Sequence, residues 1–260
     1  MITIALRAAR EAARHIVRAY DRPDLVKVRE KGPNDFVTNV DQEAEQIITD
    51  SLRKTFPEHR ITGEEAGDIL VNDDSEHQWV IDPIDGTTNF SRQIPHFCVS
   101  MACLHRGKLV HGVIINPITG EEFVATRGKG AQLNGKKIRV SSEERLEGAL
   151  VASAGSYSDA SFQGHAQIVQ ALVNAGANYR EPGSAALELA AVAAGRLDGV
   201  WMHGLNLWDI AAGCLLIQEA GGLIGDFEGG LDHLASGNLV AANPKMFKTL
   251  GSLARQHLAK

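Results

Sequence analysis

Asp82 and Asp85 stand three residues apart in the run Trp79-Val80-Ile81-Asp82-Pro83-Ile84-Asp85-Gly86-Thr87-Thr88-Asn89-Phe90, just after a short apolar stretch. Two carboxylates so spaced, on a chain that turns as it leaves a strand, suit a hard cation that takes oxygen ligands and keeps part of its water shell. Trp79 to Ile81 reads as a buried strand, while Pro83 biases Asp82 toward extended backbone and removes a donor at its own position. The chain must then turn. Gly86 permits the bend, and Thr87 or Thr88 is expected to cap a helix through Asn89 and Phe90 whose free N–H groups face the two acids. A helix start of that kind attracts phosphate. By itself an Asp-Pro-x-Asp tetrapeptide is more often a structural turn than a catalytic element, since Asp, Pro, Gly and Thr are common turn residues. Strand, paired acids and helix start together point to chemistry.

Further acids precede this run. Thr38 opens a helix in which Val40, Ala44, Ile47, Ile48, Leu52 and Phe56 recur at helical spacing, and Thr38 with Asp41 forms a capping-box-like pair. Asp41 therefore has an ordinary reading, an acid offsetting the dipole of the first helical turn. Glu64 and Glu65 lie in the loop Thr62-Gly63-Glu64-Glu65-Ala66-Gly67, between a strand end and an Asp-rich connection, where adjacent acids are commonly just solvated.

Elements that must hold these groups follow from periodicity and punctuation. Arg7, Arg10, Arg14 and Arg18 interleave with apolar residues at helical spacing, giving a first helix with a solvated basic face, a simpler reading than an organellar presequence. Lys31 to Asp35 reads as a loop. From Val99 to Val140 short alternating strands are separated by turns at Arg106-Gly107, Pro117 to Gly120 and Asn134-Gly135, the last a hairpin signal. Beyond about residue 148 strands and helices alternate. Ala149 to Ala152 is extended, Ser161 to Ala175 helical, Asn178 to Glu181 extended, and Ser184 opens an Ala- and Leu-rich helix ending at Gly195. Val200 to Met202 is a strand, Ile210 to Ala220 a helix introduced by Leu207-Trp208-Asp209, and Asn238 to Ala242 a last strand. Asn243 and Pro244 then start the C-terminal helix. This gives an N-terminal α+β half with an antiparallel sheet, 1–145, and a C-terminal α/β half, 146–260, with a ligand expected in the cleft between them.

With 260 residues, 44% of them hydrophobic, the chain can bury a sizeable core. A net charge of −6 argues against a general polyanion-binding surface, so phosphate would have to be met by metals, Arg, Lys or helix ends. Cys98, Cys103 and Cys214 lack metal or redox spacing and read as reduced, buried thiols. No apolar run reaches the roughly 20 residues that span a bilayer and no signal-peptide layout opens the chain, so a cytoplasmic protein with no membrane partner is expected.

Taken together, Phe36-Val37-Thr38 with Asp41, Gly63-Glu64-Glu65, Asp82 through Asn89, and Trp208-Asp209 running to Glu219-Ala220-Gly221-Gly222 resemble the inositol monophosphatase family, in order and over nearly the whole chain. Asn34 to Asp41 and Gly183-Ser184-Ala185-Ala186-Leu187 are similar to its bacterial inositol-1-monophosphatases. The resemblance implies a layered αβαβα sandwich and a Mg²⁺-dependent, lithium-sensitive phosphomonoesterase holding two to three Mg²⁺ per site. Glu64, Asp82 and the Ile84 carbonyl would hold one ion, Asp82, Asp85 and Asp209 a second, and Glu64 a third through water. Thr87 paired with Asp41 would orient and help deprotonate a metal-activated water for direct attack on phosphorus, with no phospho-enzyme. The backbone N–H groups of Gly86, Thr87 and Thr88 would cradle phosphate. Substrate contacts map onto Asp85, Arg180, Gly183, Ser184, Ala185, Met202 and Asp209.

Two departures from the family pattern matter. Met202 stands seven residues before Asp209, where a Glu usually accepts sugar hydroxyl protons, and a thioether is a poor acceptor. Either His203 supplies a substitute or Met202 simply packs in its strand. The substrate is thus inositol 1-phosphate or another sugar, nucleotide or polyol phosphate. Glu181 replaces a second basic residue often found beside Arg180, which bears on surface contacts. The resemblance further implies a homodimer and, as an alternative role, a subunit of a transcription antitermination complex that meets transcription factors or RNA polymerase through its surface.

Overall fold

A computed structural model describes residues 1–32, 35–69, 75–155 and 159–258. Helical spacing is realised at the N-terminus. Helix α1 (Ile2–Tyr20) buries Ala5, Ala8, Ala9, Ala12, Ala13 and Ile16 and leaves its arginines exposed, Arg10 being gripped bidentately by Glu122 at 2.6 Å. Strands β1 (Val28–Gly32) and β2 (Asp35–Thr38) pair antiparallel before α2 (Asn39–Thr55). The loop expected over Lys31 to Asp35 is thus narrower than its signals suggested; its Pro33 and Asn34 lie outside the described residues.

An eight-stranded sheet follows: β3 (Arg60–Gly63), β4 (Gly67–Ile69), β5 (His77–Asp85), β6 (Cys98–His105), β7 (Lys108–Asn116), β8 (Glu121–Thr126), β9 (Gly130–Leu133) and β10 (Lys136–Lys137), in the order β10-β9-β8-β7-β6-β5-β3-β4. It is antiparallel except where β3 pairs parallel with β5, because the β3–β4 hairpin puts β4 at the edge and leaves the other side of β3 for β5. The connection from β4 to β5 contains residues 70–74, outside the described residues, where the Asp-rich loop was expected. Asn134 and Gly135 have φ of 49° and 77°, as the two-residue turn between β9 and β10 demands. Helix α3 (Thr87–Ser91) is a single turn between β5 and β6.

The second half alternates β11 (Leu150–Gly155), α4 (Asp159–Asn174), β12 (Asn178–Arg180), α5 (Ala185–Ala193), β13 (Gly199–His203), α6 (Leu207–Glu219), β14 (Leu223–Gly225), α7 (His233–Ser236), β15 (Leu239–Ala242) and α8 (Pro244–His257). Its five strands run β12-β11-β13-β15-β14, with β11 parallel to β12 and β13, and β15 antiparallel to both neighbours. The strand β14 and the short α7 carry too few apolar residues to be read from periodicity.

Alternate faces of the strands meet different layers. Trp79 and Ile81 of β5 join the core under α1 and α2, whereas Val80 between them joins a second core with α5, α6, Met202 and Leu239. A third core packs Val151, Trp201 and Val240 against α4 and α8. The layers therefore run helix, sheet, helix, sheet, helix. Both faces of each sheet are covered, which is why Trp79 to Ile81 is continuously apolar instead of alternating. The middle layer needs small residues. A Cβ on Gly213 of α6 would lie 2.4 Å from Cβ of Leu189 on α5, and one on Gly112 of β7 would lie 3.0 Å from the Ala212 carbonyl oxygen. Among the described residues no helix is long and apolar enough to cross a membrane. The three cysteines are free and buried, and burial pushes the Cys103 and Cys214 thiols up to about 12.

Candidate active site

Asp82 and Asp85 leave the end of β5, where the register against β6 shifts between them. A bulge admits Pro83, which could not donate to a regular ladder. The third acid, Asp209, arrives on the first turn of α6, held by a capping box in which the Asn206 N–H donates to Asp209 Oδ2 at 2.7 Å. One carboxylate oxygen each from Asp82, Asp85 and Asp209 lies within 4.8 Å of the others. Glu64, on the turn between β3 and β4, also interacts with Asp82.

Each buried acid is held differently. Ser184 donates its hydroxyl to Asp85 Oδ2 at 2.5 Å, and the Ala186 N–H donates to the same oxygen at 2.7 Å. Burial, reinforced by Glu188, carries the Asp85 carboxyl up to about 7 against the pull of these two donors. Asp82 is 2% exposed and its Oδ1 has no partner among the described residues. Burial first, then the charges of Glu64, Asp85 and Asp209, hold its carboxyl well above the usual range. A buried oxygen without a donor, ringed by like charges, is costly unless a cation sits among them. An all-oxygen donor set with water-accessible neighbours fits Mg²⁺ better than a soft metal.

Asp41 combines its two readings on two oxygens. Oδ2 accepts from the Thr38 N–H at 2.9 Å and from the Thr38 hydroxyl, completing the capping box of α2. Oδ1 faces the Thr87 hydroxyl at 3.0 Å, and the same hydroxyl lies 3.0 Å from the Ile84 carbonyl oxygen. Burial raises the Asp41 carboxyl to about 6 despite these donors. The expectation that Thr87 or Thr88 caps α3 is not met. The N-cap is Gly86, at φ 95°, and Thr87 directs its hydroxyl to Ile84 and Asp41 instead.

Gly86 also makes a close approach: a Cβ there would lie 3.1 Å from the carbonyl oxygens of both Gly183 and His96. Asn89 fastens the same junction, its Nδ2 donating to His96 O at 2.8 Å and Pro182 O at 2.9 Å. The Pro182–Ser184 loop is thereby laid beside α3, with Gly183 exposed, Thr88 exposed and Ala185 buried. Arg180 is exposed and donates Nη1 to the Tyr179 carbonyl at 2.8 Å. Met202 is 0% exposed, within the core between the sheets, and His203 is half-buried with its ring stacked on Phe227.

Some supports were not visible as sites. Glu45, Asn89 and Glu188 hold loops or neighbours of the acids through backbone partners, and such partners leave no spacing signal in a sequence. Glu219 is the reverse case. Its carboxylate accepts the N–H groups of Gly128 and Gly130 at 2.8 Å each, tying the β8–β9 turn to the end of α6.

Residues 1–259 match the model of the inositol monophosphatase family. The chain is 47% identical over 262 residues to the Nus factor SuhB of Pseudomonas aeruginosa, covering 99% of this chain and 97% of that protein. Its structure resembles the extragenic suppressor protein suhB from Bartonella henselae, with a TM-score of 0.94 at 39% identity and 98% of each chain covered. It also resembles the inositol monophosphatase from Anabaena (Nostoc) sp. PCC 7120, with a TM-score of 0.86 at 34% identity, covering 98% of this chain and 95% of that one.

Proposed function

Because the chain belongs to the inositol monophosphatase family, we propose that it is a Mg²⁺-dependent phosphomonoesterase, with myo-inositol 1-phosphate the first candidate substrate. The observation that carries the reading is the convergence of Asp82, Asp85 and Asp209 beside the Asp41–Thr87 pair. Glu64, Asp82, Asp85, Asp209 and the Ile84 carbonyl would hold two to three ions, with Asp82 shared. Bound there, Mg²⁺ would neutralise phosphoryl charge and lower the pKa of a coordinated water.

The chain's own residues do the rest. With Asp41 ionised, its Oδ1 accepts the Thr87 hydroxyl proton and leaves an Oγ lone pair free to take a hydrogen bond from a water. That water is oriented for in-line attack on phosphorus, and its proton passes toward the Thr87–Asp41 pair as the new O–P bond forms and the ester P–O bond breaks, the leaving oxygen keeping the bonding pair and taking up a proton from solvent to depart as the alcohol. The N–H groups of Gly86, Thr87 and Thr88 meet the phosphoryl oxygens. Gly183, Ser184 and Arg180 border the alcohol side. Ser184 acts chiefly through Asp85, since its hydroxyl is already committed there.

Met202, buried in its strand, offers no carboxylate to a polyol hydroxyl, which keeps other sugar, nucleoside and polyol phosphates in contention. Phosphate release from inositol 1-phosphate, 2′-AMP and glycerol 2-phosphate, with Mg²⁺, with EDTA and with Mg²⁺ plus Li⁺, tests the reading. Release that needs Mg²⁺ and is inhibited by Li⁺ is expected, and no release from any of the three would sink it.

A second role is favoured by one observation, the name Nus factor borne by a relative 47% identical over 99% of this chain. In that reading a homodimer in the cytoplasm joins a transcription antitermination complex, meeting its factors or RNA polymerase through its surface. Such binding is independent of the acids. Copurification of transcription proteins with both the wild type and Asp82→Asn is expected, and loss from both would count against it.

A further inference from the structure

Glu45 follows Asp41 by four residues on α2 and is 3% exposed. Its carboxylate accepts two backbone N–H groups, Ala66 at Oε1 (2.8 Å) and Glu65 at Oε2 (2.9 Å). Those amides immediately follow Glu64, whose own N–H donates to the Ile81 carbonyl on β5 at 3.1 Å. The residue before Glu64 is fitted to the same side chain, because a Cβ on Gly63 would lie 2.3 Å from Glu45 Oε2 and 2.4 Å from its Cδ. Thus the turn 63–66 is held on one side by β5 and on the other by a carboxylate rising from α2.

We propose that Glu45 is a positioning residue that sets the Glu64 carboxylate against Asp82, and so governs how tightly the acidic centre holds its metal. The inference rests on the metal-dependent phosphatase reading. Its physical basis is the donor count. A carboxylate can accept both amides, one on each oxygen, whereas a carboxamide has a single acceptor oxygen and must turn N–H₂ toward the other N–H. The turn then loses a charge-assisted bond and faces an apposed pair of donors. Asp41 and Glu45, one helical turn apart, make α2 the common base from which the Thr87 hydroxyl and the Glu64 carboxylate are aligned. Outer supports of this kind typically change metal affinity more than fold.

The test uses Glu45→Gln and Gly63→Ala, which disturb the same contact from its two sides. Gly63→Ala leaves α2 unaltered and pushes on the far end of the Glu45 side chain. Mn²⁺ binding, read by electron paramagnetic resonance on protein whose fold is checked by circular dichroism, is expected to weaken about ten-fold or more in both variants. The Mg²⁺ concentration for half-maximal phosphate release should rise in parallel, with KM for substrate at saturating Mg²⁺ within about two-fold of wild type. Variants that lose thermal stability but keep wild-type Mn²⁺ affinity and Mg²⁺ dependence would reduce Glu45 to a structural tie and overturn the proposal. The two readings fail separately. A wild type that binds Mn²⁺ yet hydrolyses no phosphomonoester refutes the phosphatase, while the ratio of Mn²⁺ affinities still decides the role of Glu45.

Discussion

Asp82→Asn is expected to cut phosphate release by about three orders of magnitude or more, and at the same time to raise the melting temperature of the metal-free protein. The two effects share one cause. Asp82 is buried, its Oδ1 has no hydrogen-bond donor among the described residues, and the charges that bear most on it are the carboxylates of Glu64, Asp85 and Asp209. Its folded-state proton affinity is therefore raised. The sign is that of an acid whose ionised form is disfavoured by folding: stability falls as pH rises above the unfolded carboxylate value toward neutrality. Asn keeps the shape and removes the charge. A higher melting temperature would follow, at very roughly 2–4 °C per kcal/mol of stability gained for a chain of this size. Excess Mg²⁺ should reverse the order, because wild type gains from ligand binding and the variant loses a shared ligand. Differential scanning calorimetry in EDTA and in Mg²⁺ makes the comparison. If Asp82→Asn melts below wild type in EDTA, the cluster is held by hydrogen bonds and not strained by repulsion, and the argument for a cation at its centre loses its main support.

The residues of this centre were legible because their chemistry is written in side chains at fixed offsets. Asp82, Asp85 and Gly86 follow a strand in one short run, and the first two helices announce themselves through periodicity. What escaped was whatever depends on a backbone partner brought from far along the chain. Glu45 looks like any acid on the polar side of an amphipathic helix, yet it meets amides twenty residues on. Conversely, Glu219-Ala220-Gly221-Gly222 belongs to the resemblance, but Glu219 spends both oxygens on the Gly128 and Gly130 amides. Helix α3 stands where the sequence places it but is capped by Gly86 instead of a threonine. A left-handed Gly86 already turns the chain, so Thr87 is released from capping and its hydroxyl becomes available to Asp41. The parallel pairing of β3 with β5 could not be read locally either, since it depends on which side of β3 the hairpin strand β4 occupies.

Thr87→Val separates the structural from the chemical reading of Asp41. Asp41 cannot do so itself, because its replacement would also remove the capping box of α2, worth about 1 kcal/mol, and any loss of activity would have two explanations. Val keeps the volume and branching of Thr and leaves Asp41 Oδ2 with both Thr38 donors. It removes only the hydroxyl that lies between Asp41 Oδ1 and the Ile84 carbonyl. The Asp41 carboxyl, already raised to about 6 by burial, then loses a donor that favours its ionised form, so it shifts further up and becomes a poorer partner for an attacking water at neutral pH. A fall in kcat of about 10²–10⁴ is expected, with Mn²⁺ affinity nearly unchanged and most of the rate recovered in Thr87→Ser. Recovery by Ser identifies the hydroxyl, not the methyl group, as the active element. If Thr87→Val instead retains kcat within about three-fold of wild type, Asp41 is a helix cap whose second oxygen happens to meet a threonine, and the water must be oriented by the metal-bound acids alone.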